Sequence, residues 1–561
     1  MTWPRPVPVV GDQTSAARRA ADPAGWRFSD TAREALYAVV SARRDVRRFR
    51  PNPVPPEVLN RVLAAAHAAP SVGHSQPWRF IVVDDPALRD RAAVMADRER
   101  IAQAAQLDAD AGRRLLDLQL EGIREAPLGV VVCCDRRVSP AGVLGRATFT
   151  DADLWSSACA IENLWLAARA EGLGVGWVTL FQPAELQALV GLPHGVVTLG
   201  WLCVGWPDER PPEPGLERAG WSQRLPLQDM VLRNRWPRDE GPSTPPSRLR
   251  APDQHAVVAA RDGADRLLTT PSSLGVLDRC IDRAVALGHS DLDTGTLVLA
   301  VGRHLVAELG VSAYGSGVTD DLLDAARAGR AMGVVAARSA GLRVEVVDAG
   351  SATGNLLDSD PLTLEGARRL VGEGGALGRR AAGHGLVALG EIGVGNTTVA
   401  AALAASLLGL PADQVIGLGA GADSDIVRRK TEVVAAALAR SRGRDLIEPA
   451  RRLAALGGPE IAVLTGVVLG AVEGGAVVVL DGLATSVAAL VAMDAEPAVG
   501  AHLVAGQRSR ELAHEPVLAR LGLEPLLDLR FRAGEGVGAC LAAQLLMSGL
   551  RLRASTARTD L

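Results

Sequence analysis

The stretch Gly390-Glu-Ile-Gly-Val-Gly-Asn-Thr-Thr398 decides the fold of the C-terminal half of this chain. It lies at the end of a strand-like run and leads into an alanine-rich helical segment. A glycine loop at such a junction presents free backbone N–H groups and the positive end of a helix dipole to a phosphate. The spacing is close to the triphosphate loop G-x-x-x-x-G-K-T, but Asn396 replaces the lysine. The stretch therefore predicts a phosphate site and disfavours a nucleoside triphosphate, with an unliganded glycine turn as the alternative.

Outward from this loop, strand-like and helix-like segments alternate through the C-terminal half. Apolar runs at 296–301, 344–348 and 477–480 alternate with alanine-rich segments at 323–340, 398–408 and 431–439. This rhythm predicts an α/β fold with a Rossmann-like parallel sheet, whose ligands lie beyond the carboxyl ends of the strands. Further glycine segments are expected at such strand ends: 417–423, 464–467, 480–482 and 534–538. The glycines of the apolar stretch 461–493 predict buried strands and turns.

The N-terminal half has a different composition. All ten tryptophans lie between Trp3 and Trp236, and the only later aromatic residues are Tyr314 and Phe531. Helical spacing at 34–40, 56–68 and 158–171, with short apolar runs at 79–84, 129–134 and 196–204, predicts an α+β fold there. Proline and small polar residues at 237–247 have linker composition. We therefore predict a flexible tail at 1–27, a first domain at 28–236, a linker at 237–255 and a second domain at 256–561.

The overall composition excludes several classes of protein. The chain has 561 residues, 48% of them hydrophobic, and a net charge of -4, so neither nucleic acid nor an anionic membrane is an expected partner. No signal peptide is recognisable, and Glu473 and Asp481 interrupt the most apolar stretch, which predicts a cytoplasmic protein without a membrane span. The six cysteines show no metal-binding spacing and are expected to be buried apolar residues.

Three segments of the first domain have the residue types that bind a phosphate. They are Arg43-Arg-Asp-Val-Arg-Arg48, Ala69-Pro-Ser-Val-Gly-His-Ser-Gln-Pro-Trp78 and Gly172-Leu-Gly-Val-Gly-Trp177. Guanidinium forks, hydroxyls and backbone amides together suit a phosphate. Taken singly, the arginine run could be a solvated face and the glycines a tight turn. Asp45 could likewise be a helix-end salt bridge with Arg44 or Arg48.

With these segments, LEGIREAPL at 120–128 and AIENLWLAARAEGLGVGW at 160–177, residues 28–236 resemble the nitroreductase-like flavoproteins. Within them the resemblance is to the 5,6-dimethylbenzimidazole synthases (BluB). It implies a homodimer with flavin mononucleotide (FMN) at the subunit interface. Reduced FMN would be the substrate, fragmented with O2 to dimethylbenzimidazole, with a separate flavin reductase as a possible partner. Asp45 and Thr179 (serine in the family) would be catalytic, and the flavin would be held by Arg43, Arg44, Arg47, Ser71, Gln76, Arg146, Gly174, Gly176 and Arg224. An ordinary nitroreductase is the alternative with the same fold.

Lys430 is the only lysine in the sequence, although arginine is abundant. A lysine retained against such a bias indicates a need for a compact ammonium group rather than a planar guanidinium. Chance retention is the alternative. Lys430 follows the glycine segment 417–423, so a phosphate counter-charge is the function that we predict for it.

The segments GEIGVGNTT, GLGAGAD, RRKTEVV, LTGVVLGA and LRFRAGEGVGA give residues 256–552 a resemblance to the CobT family. These are the nicotinate-nucleotide:dimethylbenzimidazole phosphoribosyltransferases, with a helical subdomain beside the sheet. The resemblance implies that Glu535 is the catalytic base, with Glu391 sharing that role or steadying the ribose. The phosphate of nicotinate mononucleotide would be bound by Gly393, Gly395, Asn396, Gly417, Gly419 and Lys430. No metal is implied.

Two segments depart from the CobT pattern. Gly302-Arg-His-Leu-Val306 has Arg303 and Leu305 where the family has an acid and a glycine, and Thr269-Thr-Pro-Ser-Ser-Leu-Gly275 is shortened. Both departures affect the prediction of which base the transferase accepts. The two resemblances predict consecutive steps of cobalamin lower-ligand synthesis in one chain. The alternative is a general FMN reductase fused to a phosphoribosyltransferase-like nucleotide-binding module with altered or lost activity.

Overall fold

The computed structural model describes residues 16–117, 122–234, 236, 247–249, 251–416 and 424–558. The chain forms two compact units. The N-unit is Trp26–Glu240, and the C-unit joins Gly241–Leu561 with Met1–Gly25. Helix α1 (Ala16–Ala21) packs on the helix Gln254–Asp265, and Arg19 Nη2 donates to both carboxylate oxygens of Asp262 at 2.7 and 2.8 Å. This ion pair gives the buried Asp262 carboxylate a cation, and the flexible tail expected at 1–27 stays a prediction.

The N-unit is an α+β fold around an antiparallel sheet, as predicted. In the described residues its strands are ordered β1-β2-β4-β3, with bounds β1 (Trp78–Val83), β2 (Leu128–Asp135), β3 (Gly174–Val178) and β4 (Val196–Gly205). Alternate residues of β2 point to opposite faces, so Val131 and Cys133 join one apolar cluster while Val130 and Val132 join another. The helices are α2 (Asp30–Ala42), α3 (Pro56–His67), α4 (Pro86–Ala104), α5 (Ala109–Asp117), α6 (Ala152–Ala170), α7 (Pro183–Val190), α8 (Gly215–Arg218) and α9 (Leu227–Met230).

The C-unit has the predicted parallel sheet. Its strands are ordered β6-β5-β7-β8-β9 in the described ranges, with bounds β5 (Thr296–Arg303), β6 (Arg343–Ser351), β7 (Leu386–Ile392), β8 (Val477–Leu480) and β9 (Leu503–Ala505). The helices are α10 (Gln254–Asp265), α11 (Val276–Ala286), α12 (Val318–Arg327), α13 (Met332–Ser339), α14 (Leu364–Ala381), α15 (Asn396–Leu408), α16 (Ala412–Val415), α17 (Ser424–Ser441), α18 (Pro449–Leu456), α19 (Pro459–Glu473), α20 (Leu483–Ala495), α21 (His514–Leu521) and α22 (Val537–Ser555). Apolar clusters cover both faces of the sheet, which explains why its inner strands β5, β7 and β8 are largely apolar.

Several local predictions are wrong. The expected helix at 323–340 is two helices, because Gly329 adopts a φ of +73° just after α12 ends. The segment 464–467 lies inside α19, and the stretch 461–493 is mostly helical. Its glycines serve helix packing: a Cβ on Gly466 would overlap the backbone oxygen of Val371 in α14. Cys159 is exposed, whereas the other five cysteines are buried as expected. Among the described residues, no helix is long and apolar enough to cross a membrane.

Candidate functional sites

The arginine-rich segment after α2 runs beside β3. Asp45 pairs with Val175 in a parallel bridge, and the Val46 N–H donates to the Val175 carbonyl oxygen at 3.0 Å. A Cβ on Gly176 would overlap the Val46 carbonyl oxygen, and one on Gly174 would lie 2.9 Å from the Val46 side chain. These two glycines therefore allow the close approach of two backbones. The structure gives them this role, and their predicted contact with flavin stays a prediction.

The Asp45 carboxylate has two partners at this junction. Its Oδ1 accepts the Trp177 N–H at 3.1 Å, and its Oδ2 accepts a short hydrogen bond from the Arg47 guanidinium. Burial raises the pKa of Asp45 and outweighs the attraction of Arg47. Asp45 is therefore paired with Arg47 rather than with Arg44 or Arg48, and it is suited to holding a proton.

Arg44 and Arg43 differ in whether their guanidinium groups already donate hydrogen bonds to the protein. Arg44 donates to the carbonyl oxygens of Ser41 at 2.7 Å and Pro212 at 2.8 Å, so it ties the segment to the backbone. The Arg43 guanidinium lies 4.7 Å from the ring centre of Trp165 and makes no hydrogen bond within the described ranges. Its nearest carboxylate is that of Glu162, 3.9 Å from Nε. Arg43 thus keeps guanidinium donors available for an anion.

A Glu residue that the sequence interpretation missed also fixes this segment. Glu209 Oε1 accepts the backbone N–H groups of Arg47 at 2.6 Å and Arg48 at 3.1 Å. The sequence held no signal for it, because Glu209 is 162 residues from Arg47 and lies outside every recognised motif.

The Ser71–Gln76 segment is a tight left-handed turn. Ser71 Oγ accepts the Gln76 N–H at 3.1 Å, and φ is positive at Gly73, His74 and Gln76. The turn packs on the 143–146 segment, because a Cβ on Gly73 would lie 2.9 Å from the Leu144 backbone. Ser71 and Gln76 therefore lie close to the segment that contains Arg146, which is also a predicted flavin ligand.

A cleft of about 480 Å³ opens beside this turn, lined by Leu63, His67, Ser75, Gln76, Trp78, Arg79 and Phe80. Trp78 Nε1 donates to His67 Nδ1 at 3.2 Å on its wall. Of the predicted flavin ligands, only Gln76 lines this cleft. One copy of the N-unit therefore does not enclose the predicted ligands in this cleft.

The remaining predicted residues of the N-unit occupy different environments. Arg146 is buried and engaged, with Nη2 2.6 Å from Asp153 Oδ2 and Nη1 donating to the Val138 carbonyl oxygen at 2.8 Å. Arg224 is largely exposed, 3.8 Å from Glu217. Thr179 is exposed directly after β3. The structure thus gives Arg146 an internal ion-pair role, and its predicted contact with flavin stays a prediction.

In the C-unit, acidic side chains meet at the carboxyl ends of the parallel strands. Glu391 lies near the end of β7, and Asp481 directly follows β8. Asn396, at the start of α15, donates a short hydrogen bond to Glu391 Oε2. Burial raises the pKa of Glu391 well above its usual value, and the negative charges of Asp481 and Glu460 add to the effect. Loss of a proton from Glu391 is therefore harder than from an exposed glutamate.

Glu535 approaches the same edge from the loop before α22. Its Oε2 accepts the N–H of Gly333 at 3.0 Å, near the start of α13. The backbone of Glu535 lies against Gly390, where an added Cβ would be 2.7 Å from the Glu535 carbonyl oxygen. The predicted base thus lies next to β7 with its carboxylate on a helix N-terminus. No local pattern indicated the contact with Gly333, because the two residues are 202 positions apart.

Asp481 is a buried residue that the sequence analysis named only within a glycine segment and as an interruption of an apolar stretch, without a role in the site. It is 2% exposed and accepts the N–H groups of Gly536 at 3.1 Å and Ala539 at 3.2 Å. The Gln507 amide donates to it at 3.0 Å. Burial raises the pKa of Asp481 to about 6, although these donors oppose the shift.

Lys430 lies beside the glycine loop that precedes α15, and its predicted contact with a phosphate stays a prediction. Its side chain is 5% exposed, and Nζ donates to Thr397 Oγ1 at 3.3 Å, one residue into α15. Burial lowers the pKa of Lys430, and the charge of Glu511 partly opposes this. Gly395 precedes α15 with a φ of +93°. The second predicted loop, with Gly417 and Gly419, lies outside the described residues.

In the segment 302–306, which departs from the CobT pattern, the side chains of His304 and Arg303 have different partners. His304 Nε2 lies 3.1 Å from Glu460 Oε1, with both side chains inaccessible. Arg303 instead contacts Asp320 at 2.6 Å and Asp348 at 2.7 Å, and these hydrogen bonds raise its pKa. Two carboxylates therefore compensate the charge of the unexpected arginine. The sequence interpretation missed Glu460, which lies in the first turn of α19.

Comparison with known proteins gives each unit a family. Residues 40–206 match the nitroreductase family, and residues 249–560 match a phosphoribosyltransferase family. The 5,6-dimethylbenzimidazole synthase of Rhodospirillum rubrum is 44% identical over 204 residues, 36% of this chain and 96% of that protein. The nicotinate-nucleotide–dimethylbenzimidazole phosphoribosyltransferase of Thermus thermophilus is 38% identical over 324 residues, 54% of this chain and 96% of that protein.

A solved structure supports the assignment of the C-unit. The crystal structure of CobT from Thermus thermophilus superposes with a TM-score of 0.51 at 37% identity, covering 54% of this chain and 97% of that one. The two resemblances seen in the sequence are thereby confirmed. The chain belongs to the dimethylbenzimidazole synthases of the nitroreductase family over its N-unit and to the nicotinate-nucleotide–dimethylbenzimidazole phosphoribosyltransferases over its C-unit.

Proposed function

We propose that the chain catalyses two consecutive steps in the synthesis of the cobalamin lower ligand. The N-unit fragments reduced FMN with O2 to dimethylbenzimidazole. The C-unit transfers ribose 5-phosphate from nicotinate mononucleotide to that base, giving α-ribazole 5′-phosphate and nicotinate. The observation that best supports the proposal is membership of both families in one chain, because the product named for one is the substrate named for the other.

The residues of the N-unit suit a flavin phosphate and a proton transfer. The Arg43 guanidinium is held over Trp165 and makes no hydrogen bond in the described part of the chain. It therefore has fork-shaped donors for a phosphate. Reduced FMN, as the substrate, supplies the aromatic ring that becomes dimethylbenzimidazole. Asp45, whose pKa burial raises, takes up or delivers protons at its carboxylate as the ring is cleaved.

In the C-unit the base attacks the anomeric carbon of the ribose. Glu535 takes the N–H proton of dimethylbenzimidazole, and the other ring nitrogen forms the new bond to that carbon. The bond to nicotinate breaks and its electron pair leaves with nicotinate. Lys430 and the loop before α15 hold the nucleotide phosphate. Glu391 accepts a hydrogen bond from Asn396 and steadies the ribose.

A homodimer formed through the N-unit fits the surface of α2. None of its 13 residues is buried, although Leu36, Tyr37 and Val40 form an apolar group on it. An apolar helix face in water is normally covered by a partner. A second copy also supplies walls that one copy lacks around the flavin. Tyr37→Glu should convert dimer to monomer in analytical ultracentrifugation, with loss of flavin binding. A dimer that persists in this variant would count against α2 as the interface.

One incubation tests both activities. Purified protein receives reduced FMN, O2 and nicotinate mononucleotide, and mass spectrometry follows dimethylbenzimidazole and α-ribazole 5′-phosphate. A separate flavin reductase supplies the reduced flavin. Glu535→Gln should accumulate dimethylbenzimidazole, and Asp45→Asn should make α-ribazole 5′-phosphate only when the base is added. Reduced nicotinamide consumed steadily without fragmentation of FMN would instead indicate a general flavin reductase.

A further inference from the structure

The loop that presents Glu535 has an unusual backbone. Gly534, Glu535 and Gly536 have consecutive φ values of +64°, +56° and +78°. Glycine adopts this left-handed region readily, but a glutamate does so at a conformational cost. Such a residue persists only where surrounding contacts impose its conformation. The contacts that hold this loop are therefore part of how the site is built.

Asp481 provides those contacts on one side of the loop. Its Oδ2 accepts the Gly536 N–H at 3.1 Å, and its Oδ1 accepts the Ala539 N–H at 3.2 Å. A Cβ on Gly538 would lie 2.7 Å from Asp481 Oδ1, so glycine is needed for this approach. The Gln507 amide donates to Oδ1 at 3.0 Å and orients the carboxylate.

The other side of the loop is fixed by Glu535 itself. Its carboxylate accepts the Gly333 N–H, and its carbonyl lies against Gly390. The peptide unit joining Glu535 to Gly536 is thus held by Asp481, while the side chain is held by α13. An asparagine at 481 would place an amide N–H donor against one of the backbone N–H donors, and one contact would be lost.

We infer that Asp481 is the positioning residue of the transferase site, which fixes the loop so that the Glu535 carboxylate meets the N–H of the incoming base. The inference rests on the proposed function, in which Glu535 is the base. A displacement of about 1 Å in a catalytic group lowers turnover by roughly 100-fold. Because Asp481 acts through Glu535, its effect should disappear once Glu535 has lost its function.

A double-mutant cycle tests this in the full chain, with dimethylbenzimidazole supplied so that the N-unit plays no part. Asp481→Asn should lower kcat roughly 100-fold and leave KM for nicotinate mononucleotide within about 2-fold. In the Glu535→Gln background the same substitution should change the residual kcat by less than about 2-fold. If Asp481→Asn does not fold, Asp481→Ser goes through the same cycle, because its hydroxyl oxygen retains one acceptor.

Two controls, Asp253→Asn and the Glu391→Gln background, separate the positioning of Glu535 from two other effects. These effects are the general loss of a helix cap and the loss of a negative charge. Asp253 is exposed and accepts the His255 N–H at 2.8 Å at the start of α10, so Asp253→Asn makes the same chemical change at a helix cap far from the site and should leave kcat unchanged. Asp481 also adds negative charge near Glu391, so the kcat loss must remain in the Glu391→Gln background. Equal losses in the presence and absence of Glu535 would overturn the inference, as would wild-type kcat in Asp481→Asn. Wild-type turnover by Glu535→Gln would overturn the proposed function instead.

Discussion

Replacing Lys430 by alanine tests whether the sole lysine binds the nucleotide phosphate. Its ammonium is buried, and its closest polar partner in the described residues is the neutral Thr397 hydroxyl at 3.3 Å. Within those residues it has no carboxylate at ion-pair distance; Glu511 interacts with it only over a longer range. The charge is therefore available to a phosphate at the N-terminus of α15.

The expected loss of affinity follows from one charge-assisted hydrogen bond. Such a bond contributes roughly 1.5–3 kcal/mol, which corresponds to about a 10- to 150-fold increase in Kd. Titration calorimetry of nicotinate mononucleotide into wild type and Lys430→Ala measures it. Lys430→Arg should recover only part of the affinity, because a planar guanidinium fits poorly where a compact ammonium is enclosed. Equal Kd values for all three proteins would refute the reasoning.

The same titration has a defined pH dependence. Only the charged ammonium binds phosphate, and burial lowers the pKa of Lys430 below the ordinary value for lysine. Affinity should therefore fall as the pH rises through that lowered pKa, at a lower pH than for an exposed lysine. Lys430→Arg should lack this decline, since arginine remains protonated. A decline of equal size in both proteins would assign it to another group.

Three further outcomes are expected. Asp45→Asn should retain flavin binding, measured by fluorescence quenching, and lose formation of dimethylbenzimidazole; an unchanged yield would contradict the role of Asp45. Glu535→Gln should lose transferase turnover and keep synthase turnover, because the two units have separate cores; a parallel fall in both by a folded protein would contradict this. Arg146→Met should destabilise the N-unit by about 3 kcal/mol, because it breaks a buried ion pair with Asp153. This value is at the low end for such a pair, since Arg136 still lies 3.0 Å from Asp153 and compensates part of its charge. Denaturant unfolding followed by tryptophan fluorescence measures this, and lost flavin affinity at unchanged stability would favour the predicted flavin contact.

The sequence alone was sufficient for the two fold classes, because periodic apolar runs depend on local spacing. The alternation around Gly390–Thr398 predicted the parallel sheet, and the sheet is present with glycine segments at the ends of β7 and β8. The expectation that a glycine segment marks the end of a strand was wrong at 464–467. A glycine that allows two helices to pack closely cannot be told from a turn glycine by its neighbours in sequence. The break after α12 was missed for a related reason, because alanine-rich flanks concealed the positive φ at Gly329.

Recognised motifs named Asp45, Glu391, Lys430 and Glu535, since each lies within a contiguous segment that can be read directly. Tertiary structure alone decided what surrounds them. Asp481 reaches Gly536 across 55 residues, and Glu535 reaches Gly333 across 202. Arg146 meets Asp153 in the interior, and Arg19 joins α1 to Asp262. Hydrogen bonds and ion pairs between distant segments leave no periodic trace, because they depend on how the packed elements bring side chains together.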